Sequence, residues 1–174
     1  MRPFAYLAHP KLSNPTLTAV FNVAGLSCAV AIVPDPELRQ AFERGRRGLV
    51  AGVSIMGYVA ALAAYREGQP WLDALLPYLQ RNRDYLVGRL SGEMGVRVAA
   101  PEGTYLAWLD CRGLGLPSPA ESHFLERARV ALGAGAGFGE GGQGFLRLNF
   151  GCRRSLLEEA LDRMAAALEE NGSC

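Results

Sequence analysis

Lysine is nearly absent from this chain. Of the 18 basic residues among 174, Lys11 is the only lysine and the rest are arginine. Chemistry that needs a side-chain amine as nucleophile therefore has one candidate. Cysteine is sparse: Cys28, Cys111, Cys152 and Cys174 are far apart and form no CxxC pair, which is not the spacing of a zinc site, and no metal site is expected. Free thiols in a reducing cytoplasm are the simplest expectation. Neither sign of charge dominates. The 18 basic and 17 acidic residues leave a net charge of +1, which gives no footprint for nucleic acid or an anionic membrane. The tightest cationic cluster, Arg44, Arg46 and Arg47, reads as a solvated helix C-terminus. Long hydrophobic runs are lacking too. Val20–Val33 and Val59–Ala64 fall short of the ~20 residues a membrane helix needs. Arg2-Pro3-Phe4 is not followed by a secretory apolar core.

What is present is a core-forming composition, 49% hydrophobic, at a length that suits one domain or one domain plus part of another. Residues 1–15 hold three prolines and read as irregular. Thr16–Phe21 is a plausible buried strand. Ser27–Val33 is a better one, without polar alternation and so covered on both faces. Asp35 caps a helix that runs to about Arg47, with Leu38, Phe42 and Ala41 inward. Val53–Arg66 is an alanine-rich helix closed by Gly68, and Pro70–Glu93 is a long helix with Trp71, Leu75, Leu79, Leu86 and Leu90 at helical spacing. Beyond it the spacing predicts strands at Val96–Val98, Thr104–Asp110 and Phe145–Phe150. It also predicts a helix from Ser118 or Ser122 to about Leu132, and a final helix over Arg153–Glu170 with Leu156, Leu157, Leu161, Met164 and Leu168 inward. Strands alternating with covering helices make an α/β or α+β layer.

Two features bear on function. Gly137-Phe138-Gly139-Glu140-Gly141-Gly142 matches GxGxxG, but the glycines lead into a strand rather than open a helix. The dinucleotide fingerprint needs the reverse, so this reads as a backbone-permissive loop. Arg147 is the second. Phe145, Arg147 and Asn149 point to one side of their strand, and Leu146, Leu148 and Phe150 to the other. A guanidinium fork suits a carboxylate in bidentate geometry. Spacing alone favours the plainer alternative, an edge-strand arginine that reaches water or a local carboxylate.

Several segments, in sequence order, resemble one family. Pro101-Glu102-Gly103-Thr104-Tyr105-Leu106-Ala107-Trp108-Leu109-Asp110 resembles the PEGTYLAWLD segment of cystathionine β-lyase-type C–S lyases, relatives of the class I/II aminotransferases. Gly144–Gly151 resembles that family's strand bearing the substrate-carboxylate arginine, and Phe21-Asn22-Val23-Ala24-Gly25-Leu26 the stretch just after its Schiff-base lysine. Ala63–Gly68 and Asn82–Leu86 also look like family segments. The resemblance implies a fold type I α/β chain that uses pyridoxal phosphate (PLP) on an amino-acid substrate, by β-elimination or transamination, as a homodimer. Arg147 would bind the α-carboxylate, Asn22 and Gly25 would lie near the cofactor edge, and Tyr105 would belong to the strand framework.

The resemblance fails where covalent chemistry begins. The family reads approximately T-L-T-A-P-S-K-T-F-N-x-A-G-L, whereas this chain runs from Thr16-Leu17-Thr18-Ala19 directly into Val20-Phe21-Asn22. The lysine is absent whether a gap is placed after Ala19 or Ala19 itself is aligned to it. Lys11 lies well upstream, too far to replace it. In the family, the aspartate holding the pyridine nitrogen, the stacking aromatic and the first part of the phosphate cradle precede the segment resembling Pro3-Phe4-Ala5. The expectation is a C-terminal portion: residues 1–70 as the tail of the large PLP-binding domain and residues 71–174 as the small C-terminal domain. Such a chain is expected to be truncated and inactive alone, with no catalytic residue. The alternatives are half of a split active enzyme, or a non-enzymatic dimerisation or interaction module.

Overall fold

The computed structural model describes residues 5–9, 12–15, 21, 24–28, 30, 32–46 and 52–170. Its packing divides the chain into two compact units, Met1–Leu75 and Leu76–Cys174.

The first unit opens with an antiparallel hairpin of β1 (Ala5–His9) and β2 (Leu12–Pro15), in register Ala5↔Pro15, Tyr6↔Asn14 and His9↔Leu12. The prolines of residues 1–15 suggested irregular structure, and this is corrected. Pro15 closes a strand, where no further ladder N–H is required. Thr16–Val20 lies outside the described residues, as do Lys11 and Asn22.

The described residues of 27–33 do not show the expected continuous strand. Ser27 adopts φ +50°, which breaks an extended run at its first residue, and only Ile32 makes an isolated bridge. An apolar strand covered on both faces needs partner strands, and the described residues supply none. Val30 and Ile32 are accordingly exposed, while Cys28 and Val33 are buried.

Helix α1 (Pro36–Arg46) begins as its sequence dictates: the Asp35 carboxylate accepts the N–H groups of Glu37 at 2.9 Å and Leu38 at 3.1 Å. Leu38 is half-buried, but Ala41 and Phe42, expected inward, are exposed. Helix α2 (Ile55–Glu67) starts at Ser54, whose hydroxyl accepts the Gly57 N–H at 3.0 Å, and stops at Gly68, whose N–H donates to the Ala64 carbonyl at 3.0 Å. Gly57 lets α2 approach the short 3-10 turn Ala24–Leu26; a Cβ there would lie 2.8 Å from the Leu26 carbonyl oxygen. Among the described residues, the core of this unit is formed by Cys28 and Ala61, with Phe21, Val53 and Ala64 against them.

The second unit holds the larger core. Helix α3 (Gln69–Gly92) contains the division between the units and buries Asn82, Leu86 and Leu90. Trp71, expected inward, is exposed. A four-stranded sheet follows, built from β3 (Arg97–Val98), β4 (Leu106–Asp110), β5 (Gly133–Ala134) and β6 (Phe145–Asn149) in the order β3-β4-β6-β5, with every pairing antiparallel. Helices α4 (Ala120–Arg127) and α5 (Arg154–Glu169) complete it. Helix α4 ends before Leu132. The Phe124 carbonyl accepts the N–H groups of both Ala128 and Val130, and Arg129 between them turns the chain at φ +56°.

One face of the sheet is core. Ala107, Leu109, Leu146 and Leu148 pack with Leu86 and Leu90 of α3, Phe124 and Ala128 of α4, and Leu157, Leu161, Met164 and Ala167 of α5. On α5, Leu156 is exposed and Ala167 takes the inward place. The buried amide of Asn82 pins the turn from β6 into α5. Its Nδ2 donates to the Phe150 and Cys152 carbonyls at 3.0 Å each. The Tyr78 hydroxyl donates to the same Cys152 carbonyl at 3.0 Å and accepts the Arg154 N–H at 2.8 Å. No helix among the described residues is long and apolar enough to cross a membrane.

Candidate functional site: an arginine–aromatic row on the open sheet face

The other face of the sheet carries the site. The alternation in β4 and β6 puts Leu106, Trp108 and Asp110 on the side that holds Phe145, Arg147 and Asn149. The register sets Trp108 opposite Arg147 and Asp110 opposite Phe145, and on the far side Arg147 faces Gly133 of β5. Arg147 is therefore on an interior strand, hydrogen-bonded on both sides, rather than on the edge that spacing alone suggested.

Aromatic rings tie the row together. Trp108 stacks on Phe145 at 5.7 Å between centroids and 15° between planes, and meets Phe138 edge-to-face at 5.5 Å and 84°. The Arg147 Cζ lies 4.7 Å from the centroid of the Phe138 ring, and the Arg112 Cζ lies 4.5 Å from that of Phe145. Gly133 borders the Arg147 stem and Nε, which an added Cβ would meet at an ordinary contact distance of 3.5 Å.

The carboxylate on this face is already committed. Asp110 accepts two bonds from the Arg112 guanidinium at 2.9 Å each, one from the Arg112 N–H at 3.2 Å and one from Arg97 at 2.8 Å. The hydrogen-bonded Arg112 guanidinium holds the Asp110 carboxyl well below the usual carboxylate range. Arg147 has no ion pair among the described residues; its partner is the Phe138 ring. Three arginines and one carboxylate leave the row net positive; Arg97 and Arg112 share Asp110, and Arg147 is the member with no carboxylate partner among the described residues.

The other expected site residues are placed differently. Gly25 sits exposed in the turn Ala24–Leu26, with open space where a Cβ would be. It belongs to the first unit and Arg147 to the second. Asn22, Ala19 and Val20 lie outside the described residues. Tyr105 is framework: its carbonyl accepts the Phe150 N–H at 2.9 Å, and its ring lies against Gly151. Sequence reading missed Trp108, Phe138 and Arg112 as companions of Arg147. The period-2 alternation of β4 carried a signal for Trp108. Phe138 had none, because a loop residue reaches Arg147 only through the fold.

The model of the family described as aminotransferase class I and II matches residues 13–164. The chain belongs to that family. It is 37% identical over 151 residues to cystathionine beta-lyase PatB of Bacillus subtilis, across 85% of this chain and 39% of that protein. It is 38% identical to a cystathionine beta-lyase of Corynebacterium glutamicum, across 88% of this chain and 42% of that one. Among solved structures it superposes on cystalysin from Treponema denticola, which contains pyridoxal 5'-phosphate, with a TM-score of 0.78 and 28% identity. That match covers 92% of this chain and 41% of cystalysin. The fold is thus that of PLP-dependent fold type I chains, and PLP is the cofactor of the family. The chain spans less than half the length of these curated relatives.

Among the described residues there is no lysine, and an internal imine to the PLP aldehyde requires a primary amine; the chain's one lysine, Lys11, lies outside them. Arg147 presents a guanidinium, a group whose fork suits a carboxylate.

Proposed function

We propose that this chain, which lacks the Schiff-base lysine, is by itself a catalytically inactive member of the class I/II aminotransferase and C–S lyase group that retains the amino-acid carboxylate site. Arg147 is the carboxylate anchor. The observation that carries this is an arginine fixed on an interior strand, with no ion pair among the described residues and with an aromatic wall beside it. A guanidinium so placed offers its edge to a planar anion in bidentate geometry. Residues 1–70 correspond on this reading to the tail of the large PLP-binding domain and residues 71–174 to the small domain; the division at Leu75/Leu76 supports it.

The test has two arms. L-methionine, a thioether amino acid, is titrated into the chain while the arginine Nε–Hε resonances are followed, with L-methioninamide as the ligand lacking the carboxylate. The Arg147 resonance should move with the acid and not with the amide, and Arg147→Gln should abolish binding. Equal binding of acid and amide would refute the anchor. In the second arm the chain is mixed with PLP and reduced with borohydride. An unmodified mass supports inactivity, and a stoichiometric adduct at Lys11 sinks it.

A specific observation favours association as well. Ile55, Met56, Tyr58, Val59, Leu62 and Tyr65 of α2 are all more than half exposed. An apolar surface of this kind favours self-association, and the homodimer is the assembly it supports. Light scattering should report twice the chain mass, reduced to one by Val59→Glu with Leu62→Glu; a monomer at all concentrations excludes it.

A further inference from the structure

The Gly-rich loop that matches GxGxxG joins β5 to β6. Its base is closed by two glycines: a Cβ on Gly135 or on Gly142 would collide with the backbone of the other. Between them run two short 3-10 turns, Gly135–Phe138 and Glu140–Gly142, joined at Gly139, whose φ of +125° only glycine adopts readily. The outer glycines, Gly137, Gly139 and Gly141, have open space around them. The one large side chain at the loop's tip is Phe138, 57% exposed. An apolar ring in that position gains little from burial, so its placement calls for another reason.

That reason lies in its contacts. Phe138 lies edge-to-face with Trp108, ring centroids 5.5 Å apart, and the Arg147 Cζ sits over the Phe138 ring at 4.7 Å. Both contacts reach across the sheet register, because Trp108 and Arg147 are themselves paired residues of β4 and β6. Three residues are thus arranged about Arg147, Gly133 beside its stem, Trp108 across the ladder and Phe138 with its ring beneath the Cζ, while the Gly135·Gly142 contact closes the base of the loop.

We infer that Phe138 is a positioning residue for carboxylate binding, and that the Gly-rich loop exists to carry it. This rests on the reading of Arg147 as the anchor. A long arginine side chain is free to rotate about its stem, and that freedom is lost when a ligand fixes it. A ring beneath the guanidinium restricts it beforehand and excludes water from one side. The N–H groups lie in the guanidinium plane, so stacking leaves them free to donate. Trp108 limits the ring in turn. The loop's glycines answer to this geometry and not to a phosphate.

The experiment uses the full chain, labelled with 15N at arginine Nε, with L-methionine as probe. In the unliganded wild type the Arg147 Hε resonance should be shifted upfield by the ring beneath it, and Phe138→Leu should remove that shift. The same substitution should weaken methionine binding by about two- to five-fold, the size expected of an exposed cation–π contact. The melting temperature should fall by no more than a few degrees, the size of losing the ring's exposed contacts with Trp108 and Arg147, so the chain stays folded. Phe138→Trp, which keeps a ring, should hold affinity close to wild type. An Arg147 resonance unmoved by Phe138→Leu, or affinity unchanged by it, overturns the inference, as does a tryptophan variant as weak as the leucine one. A wild type that binds no methionine removes the anchor itself. Binding that depends on Arg147 but survives Phe138→Leu removes only the role of Phe138.

Discussion

Asn82 offers the sharpest test of how the site is held. Its side chain is fully buried, and Nδ2 is the only donor to the Phe150 carbonyl among the described residues. The Cys152 carbonyl is shared between Asn82 and Tyr78. Asn82→Ala therefore orphans one buried carbonyl and leaves the other with a partner. An orphaned buried acceptor costs about 1–3 kcal/mol, and the second lost bond adds about 1 kcal/mol. Against this, the Asn82 Oδ1 is itself buried without a partner, and removing it returns about 1 kcal/mol. The net expectation is a loss of about 1–3 kcal/mol. Tyr78→Phe leaves both carbonyls with a donor but takes the acceptor from the Arg154 N–H, and should cost about 1–2 kcal/mol. The double variant takes both donors from Cys152 at once, so it should exceed the sum of the single changes by at least about 0.5 kcal/mol. Urea unfolding followed by far-ultraviolet circular dichroism measures all four corners, with a constant slope as the control. Strict additivity, or an Asn82→Ala loss under about 0.5 kcal/mol, would show that the β6–α5 turn is held by something else.

Further expectations follow from the ionisable groups. The Asp110 carboxyl is held low by Arg112, so the folded state favours its charged form. The stability it contributes is complete above its ordinary value of 3.8 and is lost as the pH falls from there toward its depressed folded value. Thermal melts between pH 5 and 2 should therefore show a steeper acid loss in the wild type than in Asp110→Asn, and parallel curves would refute the pairing. Burial pushes the Cys111 thiol up to about 12. Iodoacetamide at pH 8.5 should label it much more slowly in the native chain than in urea, as read by peptide mass; equal rates would show the site to be open.

The second unit was largely legible in the sequence. Helix α5 and strands β4 and β6 announced themselves by periodicity, and the alternation around Arg147 correctly gave the face it occupies. Asp35 and Ser54 are ordinary cap residues, and the helices after them begin where such residues allow. What could not be read depends on partners. Ser27–Val33 has the composition of a buried strand, but Ser27 at φ +50° starts it outside the extended region, which composition does not reveal. Phe42, Trp71 and Leu156 follow the helical period of inward residues and are nevertheless exposed, because a stripe turns inward only where another element covers it. The lysine deficit was visible from composition alone. The Phe138–Arg147 contact was not, since it joins a loop to a strand through the sheet register.

The four-stranded sheet has an uneven width. Its two inner strands run five residues each, while β3 and β5 at the margins have only two. So short a border offers few unpaired backbone groups to an incoming extended segment, and the sheet resists being lengthened by strand addition from a neighbouring molecule. Any association of this unit must then proceed through side chains on its faces, where a point substitution can abolish it, and not through a continuous backbone ladder that would tolerate almost any sequence.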